Sequence, residues 1–494
     1  MSTIKHKAFS AVIWSALERV SGQLIRFAIG VVLARLLLPA EFGLIGMITV
    51  FMGVSQVFVN CGFGEALIQK QNASPQDESS VFYFNIALGL IAAGLLYGAA
   101  PWIARFYEQP SLVTLTRFMA LDIIIGSFGS VQTILLTKRL HFKIQLKISV
   151  TATLISGAVA IVMALKGFGV MSLVAQILVG DSLRTIMLWI FEGWRPMPSF
   201  SWSSLREMFP YGSRLFASGI LNSIFVEIYS IIIGKLYNPA TLGFYTRARQ
   251  MQQLPVDNLS GIVSRVSFPL FAAIQEDKPA LKRGVRRAVK GLTWLNLPVM
   301  VGLAVTARPL VIVLLTEKWL PCVPYIQLLC IAGALYPLSL IHVNALSAQG
   351  RSDLFLRLEI IKKVLTVVAV AATFHFGVIG LLIGSVIVSV MSYALNGYYS
   401  TTLFAYSWRE QVFDLLPYAA LSAIMGVCVK GVNWLPLTGN LSLLIVQVVT
   451  GVVVYATGSW FWRVSAFSET CELLGSKLPW FKTVGRAASD SRRP

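Results

Sequence analysis

Apolar runs of about twenty residues follow one another along almost the whole chain, separated by short polar breaks. A bilayer core about 30 Å thick is crossed by roughly 20 residues of α-helix, so each run is long enough to span a membrane. Backbone groups in lipid must be satisfied within the segment, and the runs are too long and too evenly apolar for barrel strands. The sequence therefore predicts an all-α, polytopic membrane protein with about 14 transmembrane helices.

Composition supports this class and limits the chemistry. The 494 residues are 56% hydrophobic and 13% charged, which excludes an ordinary soluble domain. The basic N-terminus resembles a signal peptide, but Glu18 and Arg19 interrupt its apolar region, so we expect a first membrane helix. The five Cys and four His show no metal-ligand spacing, and no Walker-type nucleotide loop is present. We therefore expect no metal and no cofactor.

The net charge of +19 is distributed by loop. The runs with the most Lys and Arg are KRLHFKIQLK (138–147), KPALKRGVRRAVK (278–290) and RSDLFLRLEIIKK (351–363). They fall in alternate loops between the predicted membrane spans. This is the positive-inside pattern, and it needs no nucleic-acid partner. The pattern predicts that both termini face the cytoplasm.

One helix-end motif occurs twice, 200 residues apart. LARLLLPAEFGL (33–44) and IGKLYNPATLGF (233–244) share Leu, Pro, Ala and Gly at equivalent positions. Each copy ends one predicted helix and begins the next. Six predicted spans precede the half of the chain that contains the second copy, so the two halves have the same orientation. Such parallel repeats are typical of several transporter folds. The repeat also predicts that the polar segment 241–272 is a helix, although its hydropathy indicates a loop.

The repeat divides the chain into lobes. We expect an N-lobe of helices 1–6 over 1–200 and a C-lobe of helices 7–12 over 201–408. Two extra helices over 409–463 stand outside the duplication, and 464–494 is expected to form a cytoplasmic or interfacial tail.

Polar stripes mark the four helices that the repeat pairs with each other. An ionised side chain in the bilayer costs at least about 2.5 kcal/mol, so such stripes indicate a hydrated cavity or hydrogen bonds and ion pairs between helices. An example of the second alternative is a pair between Glu18 and Arg19 or Arg26. The candidate substrate-binding residues are Arg19, Arg26, Arg249, Arg265, Gln23, Gln56, Asn60 and Gln253, and the candidate ion-coupling residues are Glu18, Glu227 and Asp257.

The net positive charge of these stripes favours an anionic ligand. Within the spans Arg outnumbers Asp and Glu, and the planar guanidinium fork binds phosphate well. On the first helix Ser15, Arg19, Gly22 and Arg26 share one face. A cation or drug exporter is expected to carry a net acidic cavity instead.

The chain also resembles a known family. The segments WSALERVSGQ, GFGEALIQK (62–70), SRVSFPLFAAIQEDK (264–278) and LLTEKW followed by IQLLC (314–330) are similar to bacterial polysaccharide exporters of the Wzx type, most of all the colanic-acid exporter branch. These exporters belong to the multidrug/oligosaccharidyl-lipid/polysaccharide flippase superfamily. The resemblance covers nearly the whole chain.

The resemblance implies an exporter of an undecaprenyl-diphosphate-linked oligosaccharide, working by alternating access in the bacterial inner membrane. Its partners would be that substrate, membrane lipids and other pathway proteins such as a polysaccharide polymerase. In the lipid II branch, arginines on the first and eighth helices are associated with the diphosphate. Arg19 and Arg26 match by helix and face, whereas Arg249 or Arg265 matches by helix only.

Two other functions are weighed against export. A membrane-embedded polymerase or glycosyltransferase needs an ordered site outside the membrane, but the loops are short and no Asp-x-Asp pair is present. A drug or cation antiporter of the same superfamily is disfavoured by the excess of Arg. Without a nucleotide-binding loop, an ion gradient is the expected energy source. We therefore expect a transporter and no enzyme.

Overall fold

A computed structural model of the chain describes residues 2–60, 63–70, 72–436 and 439–467, without the side chains of 2–13, 16, 19, 60, 211, 214, 215, 217, 262 and 352. Over these ranges the protein is helical and contains no strand, which confirms the all-α class. The helices are α1 (Ser2–Leu36), α2 (Pro39–Asn60), α3 (Phe63–Gln69), α4 (Pro75–Tyr107), α5 (Leu112–Lys138), α6 (Phe142–Leu165), α7 (Met171–Phe191), α8 (Trp202–Val226), α9 (Ile228–Leu236), α10 (Pro239–Ala273), α11 (Lys278–Val305), α12 (Ala307–Leu315), α13 (Val323–Ala348), α14 (Ser352–Thr373), α15 (Gly377–Phe404), α16 (Trp408–Gly431) and α17 (Asn440–Phe461).

Hydropathy identifies fewer spans than the sequence pattern predicts. In the described part of the chain, ten helical stretches are long and apolar enough to cross a membrane, or eleven with the bent pair α8–α9. One of the ten, Asp353–Phe404, contains both α14 and α15. The helices α1 and α10 are each 35 residues long but too polar to qualify. The count of fourteen depends on placing these two in the membrane, and it stays a prediction.

The repeated motif brings two helix starts into direct contact. A Cβ atom at Gly43 would lie 1.7 Å from the carbonyl oxygen of Pro239, and one at Gly243 would lie 1.9 Å from that of Pro39. No other residue type fits at such distances. The first turns of α2 and α10 are therefore in van der Waals contact. Each glycine packs directly against the carbonyl group of the other motif's proline. This close approach explains why the chain carries the Pro-Ala-x-x-Gly signal twice.

Contacts group the chain into two compact units, Met1–Thr246 and Arg247–Pro494. The division falls inside α10, which begins in the first unit and continues through the second. The sequence-predicted lobes divide at 200/201 instead, and those lobe boundaries remain a prediction.

In the first unit, α4, α5 and α7 pack together, with α1 against α6 and α8 against α2. Ser74 and Asp77 form a capping box that starts α4, with Pro75 in its first turn. Gly89 lies against Ser127, so a Cβ there would be 2.7 Å from the serine Cβ. The small residue thus sets the close packing of α4 on α5.

Within the GFGEALIQK segment, residues Phe63–Gln69 form the short helix α3, and two lysines stabilise its position. Lys70 Nζ lies 3.0 Å from Glu207 Oε2 and 3.0 Å from Asp77 Oδ2. Hydrogen bonds to Glu207 and Asp77 raise the pKa of Lys70, so its ammonium stays charged at all ordinary pH values. Lys138 donates to the carbonyls of Leu67 and Lys70 at 3.0 and 2.8 Å. Lys138, from the first basic run, therefore caps α3.

In the second unit, α13 packs between α11 and α15, and α14 packs on α15. Buried apolar side chains from these helices form one cluster that includes Val285, Ile341 and Tyr393. His342 is fully buried in α13, and its Nδ1 lies 2.7 Å from Ser400 Oγ of α15. This hydrogen bond joins the two helices.

Within the second unit, an ion-pair cluster holds α16, the first of the two extra helices, against α11. The Asp414 carboxylate of α16 is buried, and it accepts from Arg286 Nε and Nη2 at 2.5 and 2.7 Å. Lys290 Nζ lies 2.9 Å from Asp414 Oδ1, and the Tyr406 hydroxyl donates to Oδ2 at 2.9 Å. The basic run 278–290 is therefore the ordered start of α11 and holds α16. Farther along, α17 packs on α16, and its Tyr455 donates to the Trp294 carbonyl of α11 at 2.9 Å.

Replacing Asp414 by Asn is expected to destabilise the second unit by about 2–3 kcal/mol, because two cations lose the carboxylate that fixes them. The measurement is thermal unfolding of the purified protein in detergent. The matched control is Glu410→Gln, which removes the more exposed Lys282 pair (2.9 Å) but keeps the capping box with Ser407. The control is expected to cost less than about 1 kcal/mol. Equal losses from both variants would contradict the assigned role of Asp414.

Candidate functional site

The first predicted stripe lies on α1, and the structure gives that helix two distinct faces. Its exposed apolar side chains form a stripe at helical spacing: Leu17, Val20, Leu24 and Val32. Arg26 is also exposed but lies two residues from Leu24, roughly 200° around the helix. The face of Gly22 and Arg26 is therefore turned away from the apolar stripe. Such a face suits water or a polar ligand rather than lipid.

The Arg26 guanidinium extends over Gly22. A Cβ at Gly22 would lie 3.3 Å from Arg26 Nη1 and 3.6 Å from Ser149 Oγ of α6. Among the residues that the structure describes, Arg26 forms no ion pair and no hydrogen bond. The alternative pairing with Glu18, which is partly buried, is therefore not observed. The Arg19 side chain lies outside the described residues.

On α2 the predicted stripe is only partly described. Gln56 is partly buried, and its Nε2 lies 3.7 Å from where a Cβ of Gly126 in α5 would be. It therefore packs towards α5 within the first unit. The side chain of Asn60 lies outside the described residues. Gln23, on α1, is partly buried.

The first helix predicted for the C-lobe is broken in the structure. α8 and α9 meet at Glu227 with a bend of 47°. The Ser230 hydroxyl donates to Glu227 Oε2 at 2.7 Å, and Ser230 itself is buried. Discontinuous helices with polar residues at the break line substrate and ion sites in secondary transporters. The break places Glu227 where such a site would lie, and no periodicity in the sequence marks the bend.

α10 is one helix from Pro239 to Ala273, although Pro255 and Pro269 lie within it. Arg249, Gln253 and Asp257 recur every four residues, so they follow one stripe of the helix. Arg249 and Gln253 are partly buried, and Asp257 is exposed. Arg265 is exposed and lies sixteen residues from Arg249, roughly 24 Å along the axis and 160° around it. The two arginines therefore do not share a face.

A neighbouring glutamine of α10 has a structural position that the sequence did not indicate. Gln252 is buried, and its Nε2 lies 2.0 Å from where a Cβ of Gly333 would be. Gly333 of α13 is therefore needed to admit the amide. Of the three glutamines Gln250, Gln252 and Gln253, Gln252 packs within the second unit, while Gln253 follows the Arg249 stripe.

The first unit also contains an apolar cavity of about 660 Å³. Side chains from α2, α4, α8 and α9 line it, including Phe51, Phe58, Leu95, Trp102 and Ile231. Among the described lining residues, the polar groups are the Ser55 hydroxyl and the Trp102 indole N–H. Such a lining suits hydrocarbon and holds no charged group for a phosphate. The sequence analysis did not find this cavity.

A bundle of long apolar helices, with polar stripes on a few of them and a helix broken at an acidic residue, is typical of membrane transporters. Comparison with known proteins agrees with a membrane transporter and identifies the family. Residues 32–324 match the family described as polysaccharide biosynthesis protein. Because that region is more than half of the chain, the protein belongs to this family.

Three curated bacterial relatives extend the match. The chain is 31% identical over 303 residues to teichuronic acid biosynthesis protein TuaB of Bacillus subtilis, covering 61% of this chain and 62% of that protein. It is 25% identical to lipopolysaccharide biosynthesis protein WzxC of Escherichia coli, covering 87% and 89%. It is 26% identical to succinoglycan biosynthesis transport protein ExoT of Rhizobium meliloti, covering 82% and 80%.

Solved structures show the same fold. The inward closed form of lipid II flippase MurJ superimposes with a TM-score of 0.76 at 16% identity, covering 91% of this chain and 99% of that chain. An inward-facing MATE-family multidrug transporter gives a TM-score of 0.62 at 17% identity, covering 79% and 99%. The chain is thus a multi-pass membrane protein of the polysaccharide biosynthesis family with the fold of MurJ and the MATE transporters, as the resemblance predicted.

Proposed function

We propose that this protein moves an undecaprenyl-diphosphate-linked oligosaccharide from the cytoplasmic to the outer face of the bacterial inner membrane by alternating access. The observation that carries the proposal is Arg26. Its guanidinium lies on the non-lipid face of α1 and is uncompensated by any acid in the described part of the chain. A permanent cation within a membrane helix is stabilised by an anionic ligand, and a diphosphate fits the planar fork of the guanidinium.

The other substrate residues in this proposal follow from their distance to the repeated turn. Arg26 lies ten residues before the end of α1, and Arg249 lies ten residues after the start of α10, about 15 Å in each case. Arg265 lies 26 residues into α10, roughly 39 Å, beyond the depth of a 30 Å core. We therefore assign the diphosphate to Arg19, Arg26 and Arg249, and an interfacial position to Arg265.

The polar amides complete the proposed substrate path. Gln23 lies beside Gly22 on α1, and Gln253 lies one turn after Arg249. Gln56 and Asn60 of α2 would contact the sugar hydroxyls, for which amides supply both donors and acceptors. The apolar cavity of the first unit suits part of the polyprenyl chain.

Energy would come from an ion gradient. Glu18, Glu227 and Asp257 are the coupling candidates, and Glu227 is the strongest because it occupies the break between α8 and α9. A carboxylate that binds or releases a cation there would alter the local hydrogen bond to Ser230, and with it the bend. The drug or cation antiporter remains the second candidate because of the MATE-like fold, but an uncompensated Arg26 opposes a cationic substrate.

The proposed orientation places both termini in the cytoplasm. In a cysteine-free variant, single cysteines at Glu41 and Thr241, in the two repeated turns, should react with an impermeant maleimide added outside intact cells. A cysteine at Arg283, in the basic run, should react only after the membrane is opened. Reaction of all three from outside would overturn the orientation.

The function itself is tested in cells that lack the gene. The lipid-linked oligosaccharide should then accumulate where an impermeant lectin reaches it in inside-out vesicles but not on spheroplasts, and the intact gene should restore outer exposure. Drug susceptibility should be unchanged. Normal outer exposure without the gene, or drug sensitivity in its place, would contradict the proposal.

A further inference from the structure

Two helices of the first unit, α5 and α7, are joined by a regular polar seam. Thr185 Oγ1 of α7 donates to the Ile125 carbonyl of α5 at 3.2 Å, and Trp189 Nε1 donates to the Phe128 carbonyl at 2.9 Å. Gly129 admits Thr185, since a Cβ there would lie 3.0 Å from Oγ1. The seam fixes which residues of the two helices oppose each other.

One turn further along this seam the opposed residues are two acids. Paired residues in the seam differ by 60 in number (125 and 185) and by 61 (128 and 189), and Asp122 and Asp181 differ by 59. The register of the seam therefore places the two carboxyl groups opposite each other, and they interact electrostatically. Asp122 is 4% exposed, whereas Asp181 is partly exposed. The inner carboxyl is therefore sealed, and the outer one is accessible.

In the described part of the chain neither acid forms an ion pair, although Arg184 follows Asp181 by three residues on α7. α5 and α7 pack against α4, α6 and α2. The closest polar side chains that those other helices bring to the same stretch are neutral: Gln56 near Gly126 and Ser156 near Gly180. Asp122 Oδ1 has no hydrogen-bond partner in the part of the chain that the structure describes. One oxygen of the buried carboxyl group is thus left without a hydrogen bond, beside a second acid.

Two negative charges cannot share such a site within an apolar bundle. Each charge alone is costly in a membrane interior, and repulsion between adjacent carboxylates adds to that cost. One proton removes a charge and converts one carboxyl into a donor for the other. A metal ion is less suited, because the described residues hold no group of three or more His, Cys, Asp or Glu side chains.

We propose that Asp122 and Asp181 form a proton-binding site in the first unit, which holds one proton between them and exchanges it through Asp181. This proposal rests on the proposed transport function only for the use of that proton: its uptake and release would couple the cycle to a proton gradient. The pair is separate from Glu18, Glu227 and Asp257, and it would act by changing the contact between α5 and α7.

The site is tested first without any substrate. Infrared spectra of the purified protein at neutral pH should show a carbonyl band from a protonated carboxylic acid, which disappears on raising the pH and is unchanged by NaCl at constant ionic strength. Asp122→Asn should remove the band, because the pair of carboxyl groups that shares the proton is then broken. Glu65→Gln, which deletes an exposed carboxyl of α3, should leave it unchanged.

Two different results would overturn the proposed proton site. Absence of the band in the wild-type protein would show that the pair carries no proton, and displacement of the band by Na⁺ would show a sodium site instead. Neither result requires a folded variant.

The coupling role is tested in liposomes with lipid-linked oligosaccharide extracted from the host cells. An imposed pH gradient should accelerate transport by the wild type, and Asp122→Asn should lose that acceleration. Acceleration retained in the variant would reject coupling through this pair. No transport by the wild type would defeat the proposed function and leave the infrared result to decide the site.

Discussion

Replacing Gly43 or Gly243 by Ala is expected to abolish export. The new Cβ would lie 1.7 Å from the Pro239 carbonyl oxygen or 1.9 Å from the Pro39 carbonyl oxygen. A backbone atom cannot rotate away as a flexible side chain can, so the first turns of α2 and α10 would have to separate. Overpacking of this kind costs about 3 kcal/mol or more. The measurements are the yield of folded protein by size-exclusion chromatography and the outer exposure of the oligosaccharide.

The control for these variants lies in the same helix. Gly53 of α2 has no neighbouring atom within 4 Å of an added Cβ, and Ala improves helix propensity by up to about 1 kcal/mol. Gly53→Ala should therefore retain folding and export. Wild-type export by Gly43→Ala would show that the two turns do not need their close contact.

Replacing Arg26 by Ala is expected to reduce export by about ten- to a hundredfold while the protein still folds, because a charge-assisted contact with the diphosphate is lost. Lys should restore only part of the activity, since it keeps the charge but lacks the bidentate fork. The matched control is Arg206→Ala, at an exposed arginine near the start of α8. It should export normally.

A double variant separates this role from an ion pair. If Arg26 only balances Glu18, then Glu18→Gln combined with Arg26→Gln should restore export. The structure shows no such pair among the described residues, so the double variant should fail as the single one does. Normal export by intact double-variant protein would defeat the diphosphate assignment.

The sequence predicted the features that depend on local pattern. Apolar length predicted the bundle, and the repeat predicted α10 as a helix although its residues are too polar for hydropathy to find it. The shared face of Gly22 and Arg26 followed from helical spacing alone. These properties are set by residues that are neighbours in sequence.

Features that depend on contacts between distant residues were not predicted. The seat of Gly43 on Pro239, the 47° bend at Glu227 and the pairing of Arg286 with Asp414 each join segments whose partnership no spacing reveals. The basic run 278–290 was interpreted only as a topology signal, and the structure adds its contact with α16. No spacing in the sequence marks Asp122 and Asp181 as a pair, and only the α5–α7 seam brings them together.

The central claim is that the chain itself moves a diphosphate-linked glycolipid across a bilayer. The most direct measurement reconstitutes the purified protein in liposomes, with extracted lipid-linked oligosaccharide added to one leaflet and an impermeant lectin reporting its arrival at the other. The wild type should transfer the lipid well above protein-free liposomes, and Arg26→Ala should not. Transfer no faster than in protein-free liposomes, or equal transfer by wild type and Arg26→Ala, would contradict the account.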